Sequence, residues 1–353
     1  MKELTVVVQG AISSELTPKC LNSIRKFLPE SPIILSTWKG SDVTGLDFDE
    51  VIYNDDPGAI ARMYEPKRNI NDNLNNINRQ IVSTYNGLLQ VKTKYTLKIR
   101  TDFEIRNAHF LDYLNKYNKY SNEMKVFENR VLALMGNKSS FIPFFIYDFL
   151  FCGLTSDLKY LFDIPLMTKE EAEWFLKHEP KNEQKYQYVQ GMFRYIPEQH
   201  IWLNCLKKKF PQIMDNVYDH SDVNDENIIL SEKALVNNFV CLHYYQYGIY
   251  PLKDSLKWTY AKKTEFMFSH IGWLKLYKKY CNKNFSTLKY LYFYLMEKAD
   301  YCKCKIIKDY DYLTIKPRKF IKMCKAIVRL PISYIVLYMY ILIGKIFKIL
   351  SAQ

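Results

Sequence analysis

The chain has 353 residues, of which 48% are hydrophobic, and its glycines and prolines are few, which excludes a disordered or fibrous protein. The net charge is +13, but eight basic residues and no acidic residue lie between Lys316 and Lys348, which leaves +5 for the rest. The basic charge therefore belongs to the C-terminal tail, which argues against a nucleic-acid-binding face on the main body.

The first hundred residues alternate between short apolar strands and helices. Strands are predicted at Leu4–Val8, Pro32–Thr37, Glu50–Tyr53 and Tyr95–Arg100, and helices at Pro18–Phe27 and Asn78–Val91. The helical segments carry apolar residues at helical spacing, and the strand segments are short and apolar. Strands that alternate with helices predict a parallel α/β sheet.

Two acidic residues follow the fourth predicted strand. Asp102 and Glu104 are two positions apart, so their side chains point the same way in an extended segment. Ligands of α/β proteins bind at the carboxyl ends of strands, where Mg²⁺ or Mn²⁺ held by one or two carboxylates usually also binds substrate phosphates. The pattern indicates a metal-bound diphosphate, as in a nucleotide-sugar glycosyltransferase. The alternative is a solvated acidic turn.

A second polar group opens the predicted helix Asn78–Val91. Helix N-termini attract anions, and an arginine can bind a phosphate through two hydrogen bonds. Asn78 and Arg79 are therefore candidate phosphate-binding residues. The alternative for Arg79 is a surface charge without a ligand.

The later elements are harder to predict because their periodicity is weaker. Strands are predicted at Val131–Met135, Asp148–Gly153 and Phe239–His243, and helices at Lys169–His178, from Pro197 onward, at Lys275–Tyr280 and at Leu288–Glu297. The eight cysteines show no Cys-x-x-Cys pair and no zinc-site spacing. They indicate reduced thiols in a cytosolic compartment.

The basic tail contains an apolar segment, Leu330–Gly344, that has 15 residues without a charge and is closed by Arg329 and Lys345. A bilayer-spanning helix needs about 20 apolar residues. Tyrosines inside the segment and basic residues on both sides are typical of a helix that lies in the membrane interface against anionic headgroups. The alternatives are a short span with snorkelling basic residues and a buried core or partner helix.

Five ordered blocks in the first hundred residues carry a more specific signal. The blocks are Val7–Gly10, Ile34–Trp38, Asn54–Gly58, Asn78–Thr84 and Leu97–Asp102. Together they resemble the WavE lipopolysaccharide synthesis family, which is grouped with GT-A-type glycosyltransferases of bacterial lipopolysaccharide, lipooligosaccharide or capsule synthesis. The resemblance implies a GT-A-like, Rossmann-type mixed α/β sheet flanked by helices, followed here by a helical, basic C-terminal extension.

The resemblance also implies where the donor binds. Gln9 and Gly10 at the end of the first strand would face the nucleotide. Asp56 would contact the base or the ribose. Asn78 and Arg79 would lie near the nucleotide or its phosphates.

The resemblance further implies catalytic and metal-binding roles. The Arg-Thr-Asp triplet that ends at Asp102 takes the place of the GT-A Asp-x-Asp motif, so Asp102 is the expected ligand of Mn²⁺ or Mg²⁺, with Glu104 as a candidate. Arg100 replaces the first acid and is itself able to neutralise diphosphate charge. Glu198 resembles the acceptor base of inverting enzymes, and His243 resembles a further metal ligand. The alternatives are a first-turn helix acid at Glu198 and a core histidine at His243.

Taken together, these features predict a glycosyltransferase that moves a sugar from a nucleoside-diphosphate donor to a lipid-linked bacterial surface glycan. Its expected location is the cytoplasmic face of the plasma membrane, on an anionic lipid surface, with no nucleic-acid partner. The alternatives are a nucleotidyl- or sugar-phosphate transferase on the same fold and a non-catalytic, membrane-bound scaffold of polysaccharide assembly.

The sequence also predicts how the chain divides into domains. Residues 1–260 form a GT-A-like catalytic domain, with a nucleotide-sugar-binding half at 1–105 and an acceptor half at 106–260. A helical extension follows at 261–315, and a basic amphipathic, membrane-associating tail at 316–353.

Overall fold

A computed structural model of the chain describes residues 3–61, 74–182, 193–253, 268–286, 288–314 and 320–350. The described strands, in chain order, are β1 (Leu4–Gln9), β2 (Ile33–Trp38), β3 (Glu50–Asn54), β4 (Ile60–Ala61), β5 (Leu74–Asn75), β6 (Tyr95–Arg100), β7 (Phe103–Ile105), β8 (Val131–Leu134), β9 (Tyr147–Leu154), β10 (Phe239–Leu242) and β11 (Ile249–Pro251). Strands β4 and β5 form one small antiparallel pair, and β7 and β11 form another. The other strands form the central sheet.

The central sheet has seven strands in the order β10-β8-β9-β6-β1-β2-β3. Strand β9 runs antiparallel to β6 and β8, and the other neighbouring pairs are parallel. The parallel strands β1, β2, β3 and β6 therefore bring their carboxyl ends to one edge. The predicted fold class is confirmed: a mixed α/β sheet flanked by helices and consistent with a GT-A-like fold.

The sheet is covered because its strands are almost wholly apolar. Every residue of β1, β8 and β10 is buried, as expected of strands with both faces covered. The described α-helices are α1 (Leu16–Phe27), α2 (Ile77–Gln90), α3 (Thr155–Phe162), α4 (Lys169–Ala172), α5 (Pro197–Lys207), α6 (Ile213–Asn216), α7 (Asp225–Asn238), α8 (Tyr244–Tyr247), α9 (His270–Leu276), α10 (Leu288–Thr314) and α11 (Phe320–Leu350).

The structure corrects several predicted helices. The predicted helix Lys169–His178 is only α4 followed by a 3-10 turn at Trp174–Leu176. The His178 ring stacks on the Trp174 ring, with 3.6 Å between the ring centroids. The predicted helix at residues 275–280 begins earlier, as α9, and continues as a π-helical turn. Helices α3 and α7 were not predicted, and α10 is longer than predicted.

The two C-terminal helices form a hairpin. Helix α10 packs along α11, with Ala299, Cys302 and Ile306 of α10 buried together with Leu337 of α11. Arg329–Ile346 in α11 is long and apolar enough to cross a membrane, judged by length and composition alone, with a mean hydropathy of 1.4. Of the predicted basic tail residues, Lys316, Arg318 and Lys319 lie outside the described residues. The predicted domain division stays a prediction.

Helix α2 contacts the sheet through a glycine. A Cβ atom at Gly87 would lie 2.6 Å from Cγ1 of Val7 in β1 and 3.1 Å from Cβ of Ser36 in β2. Both neighbours belong to buried strands that cannot move away without cost. The position therefore requires the smallest residue, against the helical preference for alanine.

We expect Gly87→Ala to destabilise the protein by about 1–3 kcal/mol because the added methyl group overpacks the contact between the helix and the sheet. Intrinsic helix propensity acts the other way, by about 1 kcal/mol. Urea unfolding measures the change, with Leu89→Ala at an exposed position of the same helix as the control. A stabilised Gly87→Ala variant would show that α2 lies farther from β1 than described.

Candidate functional site

The carboxyl edge of the sheet opens into a cavity of about 610 Å³. Its walls come from the ends of β1, β2 and β6 and from the first turns of α1 and α2. A cavity of this size accommodates a nucleotide-sized ligand. It brings together many of the predicted site residues: Gln9, Gly10, Asp56, Arg79, Arg100 and Asp102.

The turn after β1 presents backbone to the cavity. Gly10 has a φ of +127°, and its N–H donates to the Ser36 carbonyl at 3.1 Å. A Cβ atom at this position would lie 3.3 Å from Oγ1 of Thr101, so a side chain would be strained and crowded. The Gln9 side chain is held by Ser83, whose hydroxyl donates to Gln9 Oε1 at 2.8 Å. The chain can therefore pass close to a ligand here.

Asp56 and Arg79 form an ion pair at the mouth of the cavity. Arg79 Nε and one terminal nitrogen each donate to a different Asp56 oxygen at 2.7 Å. These hydrogen bonds hold the pKa of the Asp56 carboxyl below its ordinary value. Both side chains stay partly exposed, so the pair is accessible to a ligand. Arg79 lies in the first turn of α2, where backbone N–H groups also favour anions.

Arg100 and Asp102 form a second ion pair, deeper in the cavity wall. Arg100 donates through Nε at 2.9 Å and through a terminal nitrogen at 2.6 Å to the two oxygens of Asp102. The guanidinium also lies 5.4 Å from the centre of the Phe149 ring. Both oxygens of the predicted metal ligand are thus occupied by the arginine that replaces the first acid of the Asp-x-Asp motif.

Trp38 and Lys253 stand out among the cavity-lining residues without a predicted role. Trp38 ends β2 and brings an aromatic ring, and Lys253 follows β11 and brings a positive charge. No described residue forms an ion pair with Lys253. Since the two arginine–aspartate pairs are internally neutral, Lys253 and the helix N-termini make the cavity attractive to an anion. No pattern in the surrounding sequence distinguishes Lys253 from the other lysines.

Glu198 lies in the first turn of α5, close to the charges at this edge of the sheet. Burial, helped by the neighbouring Asp148 carboxylate, raises the pKa of Glu198 to about 8, while Arg100 acts in the opposite direction. The carboxyl is therefore protonated at neutral pH. A role as acceptor base requires that the bound substrates or a higher pH remove this proton.

A buried lysine lies on the same strand as Arg100 and interacts with the same Asp148. Lys98 is fully buried, and its ammonium group donates to the Asp148 carbonyl beside the rings of Phe151 and Phe162. Burial lowers the pKa of Lys98 to about 7. Lys98 and Arg100 are two residues apart on β6. Because side chains alternate between the two faces of a strand, this spacing alone indicates that they share a face.

Besides Glu198, three predicted site residues do not line the cavity. The Asn78 side-chain amide makes two hydrogen bonds to the backbone of Met167: it donates to the carbonyl and accepts from the N–H. It therefore anchors a loop. Glu104 is paired with Arg106 at 2.7 Å. His243 Nδ1 lies 3.1 Å from an Asp300 oxygen of α10. These side chains have partners outside the cavity in this structure, and their predicted roles at the donor site stay predictions.

The three predicted metal ligands also contact different partners. Asp102, Glu104 and His243 have different partners, and no group of three or more His, Cys, Asp or Glu side chains suited to a metal ion occurs among the described residues. These residues therefore do not fit a metal centre built from three protein ligands.

Comparison with known protein families gives a match over most of the chain. A family model described as WavE lipopolysaccharide synthesis matches residues 4–305, which is nearly the whole chain and includes the cavity and Glu198. A search of the curated proteins found no match.

We expect Glu198→Gln to change how stability depends on pH. The carboxyl ionises near pH 4.5 when solvated and near pH 8 in the folded protein, so the folded chain retains a proton that the unfolded chain releases between these values. Stability contributed by the neutral carboxyl is present below pH 4.5 and declines as the pH rises toward 8.

From pH 5 to pH 8, the wild type should lose about 2 kcal/mol relative to Glu198→Gln, less than the full shift implies because the side chain is partly exposed. Urea unfolding at both pH values measures this difference. Glu50→Gln, at an exposed position of β3, serves as the control. Parallel pH profiles for the wild type and Glu198→Gln would contradict the raised pKa.

Proposed function

The chain belongs to the WavE lipopolysaccharide synthesis family, and from this membership we propose that it is a glycosyltransferase. Family membership implies a part in lipopolysaccharide synthesis. The proposed reaction moves a sugar from a nucleoside-diphosphate donor to a hydroxyl group of a lipid-linked surface glycan. The observation that carries the proposal is the cavity at the carboxyl edge, where Arg79, Arg100 and Lys253 surround a space suited to a diphosphate.

The donor would bind with its diphosphate among these cations. Arg79 is exposed enough to move from Asp56 to a phosphate, and an arginine binds phosphate oxygens through two parallel hydrogen bonds. The first turn of α2 would add backbone N–H donors. Trp38 offers an aromatic face for the base. These groups would stabilise the negative charge that develops on the departing diphosphate.

Glu198 is the proposed proton acceptor. In an inverting reaction the acceptor hydroxyl attacks the anomeric carbon as its proton passes to a carboxylate, and the bond to the diphosphate breaks. Glu198 must be ionised for this step, so the proposal requires alkaline activation or a shift of its pKa when the donor binds. Arg100 is a neighbouring charge that already favours ionisation.

A divalent cation enters the proposal only through Asp102. Mn²⁺ or Mg²⁺ is often held by one carboxylate together with the substrate phosphates. Here such an ion would have Asp102 as its protein carboxylate after Arg100 has moved away. The proposed steps at Arg79, Lys253 and Glu198 do not depend on this ion.

The proposed location is the cytoplasmic face of the plasma membrane, where a lipid-linked acceptor is available. The support for this proposal is the apolar, basic helix α11 at the C-terminus. Attachment to an anionic lipid surface would hold the enzyme in the layer that contains its acceptor.

We expect Arg79→Gln to weaken the binding of a nucleoside diphosphate by about tenfold or more, because a charge-assisted bidentate contact is lost. Calorimetry with UDP, GDP and CMP measures the affinity. Arg25→Gln is the matched control, since Arg25 also pairs with aspartates, Asp47 and Asp49, but does not line the cavity. If no nucleotide binds to the folded wild type, the scaffold alternative is favoured over the enzyme.

We expect Mn²⁺ to tighten nucleotide binding to the wild type and to have no such effect on Asp102→Asn, since the variant lacks the proposed cation ligand. Asp56→Asn is the control, because Asp56 is an equally paired carboxylate of the same cavity. Calorimetry with and without Mn²⁺ gives the comparison. A wild type that does not respond to Mn²⁺ would remove the cation from the proposal without affecting the cationic diphosphate site.

A further inference from the structure

Helix α11 exposes a broad apolar surface. Only 11% of the segment Arg329–Ile346 is buried in the protein. The exposed apolar side chains recur at helical spacing on the side away from α10, and we call them the apolar stripe: Ile332, Ile335, Tyr338, Met339, Leu342 and Ile346. Soluble proteins rarely expose a continuous apolar surface of this length, so the stripe indicates an interaction site.

The opposite side of α11 is covered by α10. Leu337 packs among Ala299, Cys302 and Ile306. Farther along, a Cβ atom at Gly344 would lie only 3.2 Å from the Met296 sulfur. As α11 advances toward its C-terminus, its partners on α10 come earlier in the sequence, so the two helices are antiparallel.

Helix α10 is in turn attached to the body of the protein. Asp300 is buried beside His243, which directly follows β10, with 3.1 Å between His243 Nδ1 and an Asp300 oxygen. Glu297 accepts a hydrogen bond from the backbone N–H of Ile271 in α9. Both contacts lie on the stretch of α10 that packs against α11. The hairpin therefore connects the apolar stripe to the sheet through packed contacts.

These contacts argue against a membrane-spanning α11. If α11 crossed a bilayer, the paired stretch of α10 would enter the hydrocarbon with it, including the charged residues Glu297, Lys298, Asp300 and Lys303. Each charge near the bilayer centre costs about 2.5–3.5 kcal/mol on insertion scales. A helix that lies in the plane of the interface leaves α10 on the water side and avoids this cost.

The charge on α11 matches one type of surface. Its residues include no acid, and two of its five basic residues, Arg329 and Lys345, are exposed near the two ends of the apolar stripe. Basic residues beside an inserted apolar face are attracted to anionic headgroups. We propose that α11 lies in the plane of an anionic lipid leaflet, with the apolar stripe inserted and α10 facing water.

This inference deepens the membrane association in the proposed function and does not depend on sugar transfer. Vesicle binding tests the lipid surface, whereas nucleotide calorimetry tests the donor site. Loss of one measurement with retention of the other therefore shows which proposal has failed.

The first experiment measures binding of the full chain to vesicles of phosphatidylglycerol and phosphatidylethanolamine. We expect the double variant Ile335→Glu, Leu342→Glu to lose roughly a hundredfold in partition, since two buried apolar contacts are replaced by charges. The control is Leu74→Glu, Leu176→Glu, which adds the same charge at similarly exposed leucines outside α11. Equal partition of both variants would overturn the proposal.

The second experiment distinguishes insertion in the plane from a span. Nitroxide labels on cysteines introduced at Ile332, Met339 and Ile346 report depth by power saturation, with the unsubstituted chain as the blank for native cysteines. Similar depths of about 5–10 Å at all three positions support the proposal. A deepest Met339 between two shallow ends would show a span. Sedimentation of a stable dimer without lipid, abolished by Ile335→Glu, Leu342→Glu, would instead assign the stripe to a second copy of the chain.

Discussion

The pairing of arginine with aspartate at the carboxyl edge of the sheet determines what the cavity can bind. Arg100 occupies both oxygens of Asp102, and Arg79 occupies both oxygens of Asp56. Neither carboxylate faces the cavity as a bare anion, so the sign of the local potential is set by Lys253 and by the helix N-termini. A diphosphate can replace an aspartate as the hydrogen-bond partner of an arginine. A cation that binds Asp102 must first displace Arg100 from it.

Two ionisable side chains near this edge of the sheet extend into the protein interior. Lys98 is fully buried and donates to a carbonyl, and Glu198 remains neutral at pH 7 because its surroundings disfavour the charged form. Buried ionisable groups are costly unless they are hydrogen-bonded or neutralised, and both solutions are present here. Strongly shifted pKa values next to the cavity-lining Arg100 favour a functional role for this region. They are consistent with proton transfer on the acceptor side of a cationic donor site.

The sequence predicted elements wherever one face of a segment was plainly apolar. Strands β1, β2, β6 and β10 lie close to their predicted positions. Asp102 and Arg79 were predicted from a strand end and a helix start, and Arg100 from the family resemblance. Helix α7 was missed because four of its seven buried residues are polar. Asn237 and Asn238 hydrogen-bond to the segment 121–127 and so lie inside without the apolar periodicity that predicts a helix.

The sequence by itself determined the α/β sheet, the family and the basic apolar tail, because these depend on local periodicity and on motifs a few residues long. Only the tertiary structure decided which side chains meet. The Asn78 side chain hydrogen-bonds to Met167, and His243 contacts Asp300. One side of α11 packs against α10. Such partners come from segments far apart in the chain. A motif specifies which groups a side chain can bind, whereas the packing of the folded chain decides which of these groups lies next to it.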